Sequence, residues 1–304
     1  MEQAKTRLIK GLTSYQIKML AVIFMTIDHL GAYGFEIPVF STYNNQLRLI
    51  GRIAMPLFLF ALTESIRYTR SRPKFLLRLY LGAVGVGLFV TVTNYLFADS
   101  VGSFVQSNII YTYFYVALYV TLLEGLISGF REKNKRKLFA NAAGILGTCI
   151  AHWLWKFLVT IPFMDYGVDL RHAIMLDELF GSFVCSPLEV EYSFLFVLMG
   201  IAMYFAGNKY GKAAVLAVFS VICYAGGKVE MLIWEIPALM CVFNTFGLHF
   251  VVGYPQYYMI LAVPFLLLYN GKKGRTDKWF FYAYYPLHRY AISVAVYLYQ
   301  LLSI

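Results

Sequence analysis

Long apolar runs separated by short polar connectors recur along almost the whole chain. Crossing a bilayer as a helix takes about 20 apolar residues, and most of these runs reach that length. The clear runs lie at about 17–35, 49–69, 76–97, 107–128, 138–162, 191–206, 212–226, 256–270 and 279–302. They lack the alternation of barrel strands, and a backbone in lipid must satisfy its own hydrogen bonds. The pattern therefore predicts an all-α polytopic integral membrane protein.

The positions of the basic residues predict how these helices are oriented. Lysine and arginine cluster before the first run and in three connectors, at 5–10, 67–78, 131–137 and 272–278. Because cytoplasmic connectors collect positive charge, we predict a cytoplasmic N-terminus. Two interrupted segments, at about 173–187 and 229–250, must both cross the membrane or both fail to cross it, so that the last basic connector is also cytoplasmic. The expected bundle has about nine or eleven transmembrane helices.

Composition narrows the classes of protein that fit this pattern. Of the 304 residues, 60% are hydrophobic and 14% are charged, whereas soluble proteins carry about 25% charged residues. No polar segment exceeds about 20 residues, so we expect one membrane domain over 1–304. The net charge of +10 comes from the connectors and does not indicate nucleic-acid binding. The four cysteines lack disulfide or metal-ligand spacing, and no soluble-type nucleotide or metal motif occurs, so we expect no metal site.

Three ionisable residues, Lys18, Asp28 and His29, lie in the first apolar run. A charge in the middle of a span costs roughly 3 kcal/mol, so such residues indicate function by default. Lys18 and His29 are about three helical turns apart on one face, with a separation of roughly 16 Å along the axis. Asp28 points about 100° away, so we expect a cation on a neighbouring helix to pair with it. His29 is then either a structural hydrogen-bonding residue or a general base.

Further candidates lie in the second and last runs and in the connector after the second run. Arg52, near the start of the second run, fits either a site residue or a structural ion pair. His288 follows Tyr285 and Pro286 in an otherwise apolar run, which makes it a second candidate site residue. The connector cations either set orientation or bind the phosphates of a cytosolic nucleotide-like ligand. They are Arg67, Arg70, Arg72, Lys74 and Arg78.

These residues lie in segments that resemble the TraX family, named for the conjugation protein that acetylates the N-terminus of pilin. The first segment is Lys18-Met-Leu-Ala-Val-Ile-Phe-Met-Thr-Ile-Asp28-His29. The others include Arg48-Leu-Ile-Gly51-Arg52-Ile-Ala-Met-Pro56-Leu-Phe58, Arg67-Tyr68-Thr69-Arg70, Asp165-Tyr166-Gly167, Leu268-Tyr269-Asn270-Gly271 and Tyr285-Pro286-Leu287-His288. Their order and rough spacing extend over nearly the whole chain. The family in turn is similar to membrane acyltransferases whose first span has Arg or Lys, ten residues and then His.

The resemblance implies an acyl-CoA-dependent O- or N-acetyltransferase of the bacterial cytoplasmic membrane, with acetyl-CoA as the donor. The implied cofactor-binding residues are Lys18, Arg67, Arg70, Arg72 and Lys74. The implied catalytic residues are His29, Asp28, Arg52, His288 and Tyr285. Among these, His29 is the expected general base, and Arg52, Tyr285 or His288 would stabilise the oxyanion. The acceptor would be an exported peptide, such as a pilin-like N-terminus, or a surface glycan, reached from within membrane lipid.

Two other functions fit the same residues. A proton-coupled transporter or flippase would use Asp28, His29 and Glu64 as a relay. A non-catalytic subunit of a secretion or conjugation apparatus would leave these buried ionisable residues without a chemical role. A transporter has no reason to bind CoA and an acetyltransferase must bind it, so CoA binding distinguishes the hypotheses.

Overall fold

The computed structural model describes residues 11–101, 108–155, 157–158, 170–184, 186–188, 190–236, 255–275 and 277–303. Throughout these residues the regular structure is helical, and Leu12 and Tyr269 form an isolated bridge. The α-helices are α1 (Ser14–Tyr33), α2 (Pro38–Thr42), α3 (Asn44–Gly51), α4 (Ala54–Tyr68), α5 (Arg72–Val101), α6 (Ile109–Arg131), α7 (Lys135–Trp155), α8 (Leu170–Gly181), α9 (Ser193–Ala206), α10 (Lys209–Glu235), α11 (Val263–Leu267) and α12 (Lys278–Leu302). A 3-10 helix, Gln256–Ala262, precedes α11. The prediction of an all-α polytopic membrane protein is confirmed.

Within the described residues, 4 helical segments are long and apolar enough to cross a membrane. They are Asn44–Tyr68, Arg72–Tyr95, Ile109–Arg131 and Lys209–Lys228. Two shorter apolar segments, Ser193–Ala206 and Gln256–Leu267, coincide with further predicted runs. Because this count does not cover the whole chain, the total of about nine or eleven spans stays a prediction.

The two interrupted segments differ from the continuous runs. α8 covers the first part of one of them, and its 12 residues extend about 18 Å, well short of the roughly 30 Å hydrocarbon core. Over the described residues α8 is therefore shorter than a membrane-spanning helix, and whether this segment crosses the membrane stays undecided. In the other segment α10 continues to Glu235, and residues 237–254 lie outside the described residues.

α1 is an apolar helix whose buried face carries polar side chains. Thr13 caps its start, accepting a hydrogen bond from the Gln16 N–H at 3.3 Å while the Gln16 side chain accepts from the Thr13 N–H. The helix has 20 residues and extends about 30 Å, which is enough to cross a bilayer. Asp28 and His29 are both buried against protein, together with apolar residues such as Ile17. The two ionisable groups therefore face the protein interior.

The chain forms two compact units. The first consists of Met1–Arg67, Ala202–Ala225 and Pro255–Ile304, and the second of Tyr68–Ile201 and Gly226–Tyr254. All five predicted catalytic residues belong to the first unit. The candidate site is therefore built within one unit.

Main-chain hydrogen bonds join the start of α1 to the segment that precedes α12, in the first unit. The Leu12 N–H donates to the Leu268 carbonyl at 2.7 Å, and the Asn270 N–H donates to the Leu12 carbonyl at 3.0 Å. One residue into the helix, the Ser14 N–H donates to the Lys272 carbonyl at 2.8 Å. These bonds satisfy donors that a helix start leaves unpaired, and they fix the position of α1.

In the second unit, tyrosine hydroxyls on two long helices bond to the turn that follows α8. The Tyr80 hydroxyl on α5 donates to the Phe183 carbonyl at 3.0 Å. The Tyr111 hydroxyl on α6 donates to the Ser182 carbonyl. These bonds hold the end of α8 against α5 and α6, and the second satisfies the carbonyl of the buried Ser182.

Gly51 allows α3 to approach α1 at the position of Asp28. A Cβ atom built on Gly51 would overlap the Cβ of Asp28 and lie 2.6 Å from its Cα atom. The obstruction is backbone and the base of a side chain, which cannot swing away. This close approach brings the arginines that flank Gly51 within reach of Asp28.

Gly51→Ala is expected to destabilise the protein by about 1–3 kcal/mol, because the added methyl group forces α1 and α3 apart. The measurement is the thermal unfolding midpoint of the purified protein in detergent. Gly85→Ala is the matched control, since a Cβ there meets nothing within 4 Å. It should leave the midpoint unchanged or raise it, and an equal loss for both variants would contradict the close approach at Gly51.

Candidate active site

Asp28 is the centre of a double ion pair. Its Oδ2 atom lies 2.7 Å from Nη1 of Arg48, and its Oδ1 atom lies 2.8 Å from Nη2 of Arg52. Asp28 is only 4% exposed, so water does not screen these contacts appreciably. The prediction that a cation on a neighbouring helix pairs with Asp28 is confirmed, and two cations do so.

Arg52 connects three elements of the first unit. Besides the bond to Asp28 on α1, its Nε atom donates to the Arg48 carbonyl of α3 at 3.0 Å. Its Nη1 atom donates to the Oε1 atom of Gln256, the first residue of the 3-10 helix, at 3.0 Å. Arg52 thus makes the structural ion pair that was one of its two expected roles. The sequence gives no sign of Gln256, a single polar residue at the edge of an apolar run.

His29 and His288 form a buried pair, although 259 positions separate them in the chain. The Nδ1 atom of His29 lies 2.6 Å from the Nε2 atom of His288, and the ring planes differ by 9°. The Nδ1 atom of His288 lies 2.8 Å from the Tyr284 carbonyl, one turn earlier on α12. Two of the predicted catalytic residues are therefore in direct contact.

The hydrogen bonds fix the tautomers of the two neutral rings. A carbonyl oxygen only accepts, so Nδ1 of His288 carries the proton and its Nε2 atom accepts. Nδ1 of His29 must then donate, which leaves the lone pair on Nε2 of His29. Nε2 makes no hydrogen bond with any residue that the structure describes. A base held in one tautomer by a second group is the arrangement of an activated general base.

Aromatic residues hold the histidine pair in place. The Tyr284 ring lies parallel to His288 with centroids 5.1 Å apart, and its hydroxyl bonds to Oγ1 of Thr26 at 2.6 Å. Tyr285 is buried, and its ring centroid lies 6.2 Å from that of His288. Tyr285 is therefore near the pair, and Tyr284 is the residue that positions it.

A second buried arginine, Arg289, lies beside the pair. The Tyr33 ring meets His29 edge-on at 5.4 Å, and the Arg289 guanidinium lies over the same Tyr33 ring at 4.8 Å. Arg289 also donates to the Tyr33 hydroxyl. The charges of Arg289, Arg48 and Arg52 all act on His29. The sequence signal for Arg289 is its place next to His288 in an apolar run.

The predicted cofactor-binding cations are divided between the two units. Lys18 is half-buried in the first half of α1, where the charge of Lys273 acts on it. Arg67, also in the first unit, donates to the carbonyls of Gly207 at 2.7 Å and Tyr204 at 3.0 Å, and so satisfies the end of α9. The remaining three lie in the second unit: Arg70 and Lys74 are exposed, and Arg72 lies 3.4 Å from Glu124.

Glu64 forms a separate buried ion pair in the first unit. It contacts Nζ of Lys212, which also donates to Oγ1 of Thr63 at 2.9 Å. Glu64 lies twelve residues after Arg52, which corresponds to about 18 Å along a helix. Since Arg52 touches Asp28, Glu64 and Asp28 belong to different ends of the unit. Among the described residues, no group of three or more histidine, cysteine or acidic side chains could hold a metal ion.

The comparisons with known proteins give one match. The family model described as TraX protein matches residues 13–296, nearly the whole chain. No curated protein and no solved structure matches.

Asp28→Asn is expected to destabilise the protein by roughly 3–5 kcal/mol, because it removes the carboxylate that pairs with the buried Arg52 and the half-buried Arg48. Thermal unfolding in detergent measures the loss. Glu132→Gln is the control: it breaks the more exposed ion pair with Lys137, 3.1 Å long, and should cost less than about 1 kcal/mol. Equal effects would mean that the double ion pair on Asp28 contributes no more than a surface pair.

Proposed function

This chain belongs to the TraX family, and we propose that it is a membrane acetyltransferase that moves an acetyl group from acetyl-CoA to an amine or hydroxyl. The observation that carries the proposal is the His29–His288 pair, which presents an unprotonated nitrogen inside an apolar protein. The family resemblance favours the N-terminal amine of an exported pilin-like peptide as acceptor. A surface glycan hydroxyl offers the same chemistry.

His29 acts as the general base in the proposed reaction. Its Nε2 atom takes the proton from the acceptor amine or hydroxyl while the acceptor attacks the thioester carbonyl carbon. The tetrahedral intermediate then collapses, the carbon–sulfur bond breaks, and the CoA thiolate takes the proton from His29. During the step the charged His29 ring donates through Nδ1 to Nε2 of His288, at 2.6 Å. His288 is therefore a positioning residue that also stabilises the imidazolium.

The surroundings of His29 favour the negative charge that develops on the thioester oxygen. Three arginines, Arg48, Arg52 and Arg289, act on the His29 ring, and Asp28 pairs with the first two of them. Fixed positive groups in a water-poor site stabilise an oxyanion more strongly than they would in water. In this proposal Asp28 holds the arginines in position and does not contact His29.

The donor would enter along α1 from its N-terminal end. The pantetheine arm of CoA is about 15–20 Å long, which matches the roughly 16 Å between Lys18 and His29. Lys272 and Lys273 are exposed, and main-chain bonds hold their segment at the start of α1, where the charge of Lys273 acts on Lys18. With a cytoplasmic N-terminus, these cations meet the phosphates of cytosolic acetyl-CoA. Arg70, Arg72 and Lys74 belong to the second unit, and their role in phosphate binding stays a prediction from the sequence.

A proton relay through Asp28, His29 and Glu64 has less support. Asp28 is held by two arginines and Glu64 by Lys212, each in its own ion pair. Glu64 lies ten residues after the first residue of α4, about 15 Å along that helix, whereas Arg52 precedes α4. The geometry therefore favours one reaction centre at the histidines over a relay across the unit.

His29→Ala is expected to reduce acetyl transfer by roughly 10²–10⁴-fold, because it removes the base. The assay follows transfer from radiolabelled acetyl-CoA to pilin-like peptides and to surface glycans in proteoliposomes. His288→Ala should also slow turnover, and should shift the pH dependence of kcat because the protonated base loses its partner. Both variants should still bind acetyl-CoA. Undiminished turnover by His29→Ala would remove His29 from the mechanism.

Acetyl-CoA is expected to raise the thermal unfolding midpoint, by an amount equivalent to about 2.7 kcal/mol at a concentration 100 times its Kd. Lys18→Met should weaken this stabilisation while leaving the ligand-free midpoint nearly unchanged. Arg67→Ala removes two hydrogen bonds to the end of α9, so the ligand-free unfolding midpoint of this variant should fall. A midpoint that does not respond to acetyl-CoA would contradict the proposed donor.

A further inference from the structure

Gln256 carries a buried hydrogen-bond donor that no described residue satisfies. The residue is 1% exposed, and its Nε2 atom has no hydrogen-bond partner within the part of the chain that the structure describes. Leaving such a group unpaired costs about 1–3 kcal/mol, so it needs an explanation where it occurs. A ligand with an acceptor oxygen provides one.

Arg52 determines which end of the Gln256 amide is available. Its Nη1 atom donates to Oε1 of Gln256 at 3.0 Å. A guanidinium group has only donors, so the amide oxygen must face it and the NH2 group must point elsewhere. Arg52 is itself fixed by Asp28 at 2.8 Å and by the Arg48 carbonyl at 3.0 Å. The donor is therefore held rigidly, and its orientation does not depend on a substrate.

The same hydrogen bond strengthens the donor. A charged guanidinium that bonds to the amide oxygen draws electron density from the amide nitrogen, because hydrogen bonds in a chain polarise one another. The Gln256 N–H groups are then better partners for an oxygen that becomes negative. Arg52 also acts electrostatically on His29, and it contacts Asp28, the residue that precedes His29 on α1.

We propose that Gln256 donates to the acyl carbonyl oxygen of the bound thioester and stabilises the oxyanion of the tetrahedral intermediate. This assignment rests on the proposed acetyl transfer. When the acceptor adds to the carbonyl carbon, the electron pair of the C=O bond moves onto the oxygen, and the Gln256 N–H groups bond to it. The proton goes from the acceptor to His29 and then to the departing CoA sulfur. Arg52, expected from the sequence to stabilise the oxyanion, is here the residue that positions the donor.

Gln256→Glu separates this role from a purely structural one. The carboxylate has the same shape as the amide and still accepts from Arg52, but it has no N–H to donate. We expect kcat to fall by roughly 10²–10³-fold, as for the loss of one oxyanion-hole donor, with KM for acetyl-CoA little changed. Gln256→Met, which loses the bond to Arg52 as well, should lose at least as much. The thermal unfolding midpoint of each variant in detergent shows that it is folded.

The matched control is Gln300→Glu, the same chemical change at an exposed position of α12, which should leave kcat unaltered. A Gln256→Glu variant within about threefold of wild-type kcat, with Gln256→Met impaired, would show that Gln256 only supports Arg52, and would overturn the assignment. Wild-type protein without acetyl transfer in the same assay would overturn the proposed function and the assignment with it. If the wild-type protein and Gln300→Glu transfer acetyl groups and only the Gln256 variants lose kcat, the loss is specific to Gln256.

Discussion

The double ion pair on Asp28 is the interaction on which the rest of the site depends. A carboxylate inside an apolar bundle is tolerated only when it is paired and hydrogen-bonded. Two guanidinium groups pair with the Asp28 carboxylate. They can reach it because Gly51 has no side chain at the point where α3 comes closest to α1. The contact fixes the rotation of α1 about its axis. It therefore determines where His29, the next residue, points.

The sequence predicts the helical class and part of the site because both follow from local pattern. Apolar runs give the helices, and the costly charges in the first run single out Asp28 and His29. Helical geometry also predicts that Asp28 needs a cation from another helix. The pairing of His29 with His288 cannot be read in this way, because it depends on packing between residues 259 positions apart. Gln256 and Arg289 are missed for the same reason.

The basic connector around Arg67 shows what the local sequence pattern does not predict. Arg67 and its neighbours form one basic cluster in the sequence, which suggests a common task. In the structure Arg67 binds carbonyls at the end of α9 within the first unit, whereas Arg70 belongs to the second. Meanwhile the lysines near Lys18 come from the far end of the chain, through the bonds that join Ser14 to Lys272. Arg67 therefore has a structural role at the end of α9 that the basic cluster in the sequence does not indicate.

The helix α1 is connected to the C-terminal part of the chain at two places. Main-chain bonds link its start to the segment before α12, at Ser14 and Lys272, and the His29–His288 contact links α1 to the middle of α12. Two helices that are held together at two places resist sliding and twisting much more than two helices held at one place. Parting these two helices to admit a bulky acceptor would break the contact between His29 and His288. In the proposed reaction, the acceptor would therefore enter on another side of the histidine pair, between helices that neither of these contacts joins.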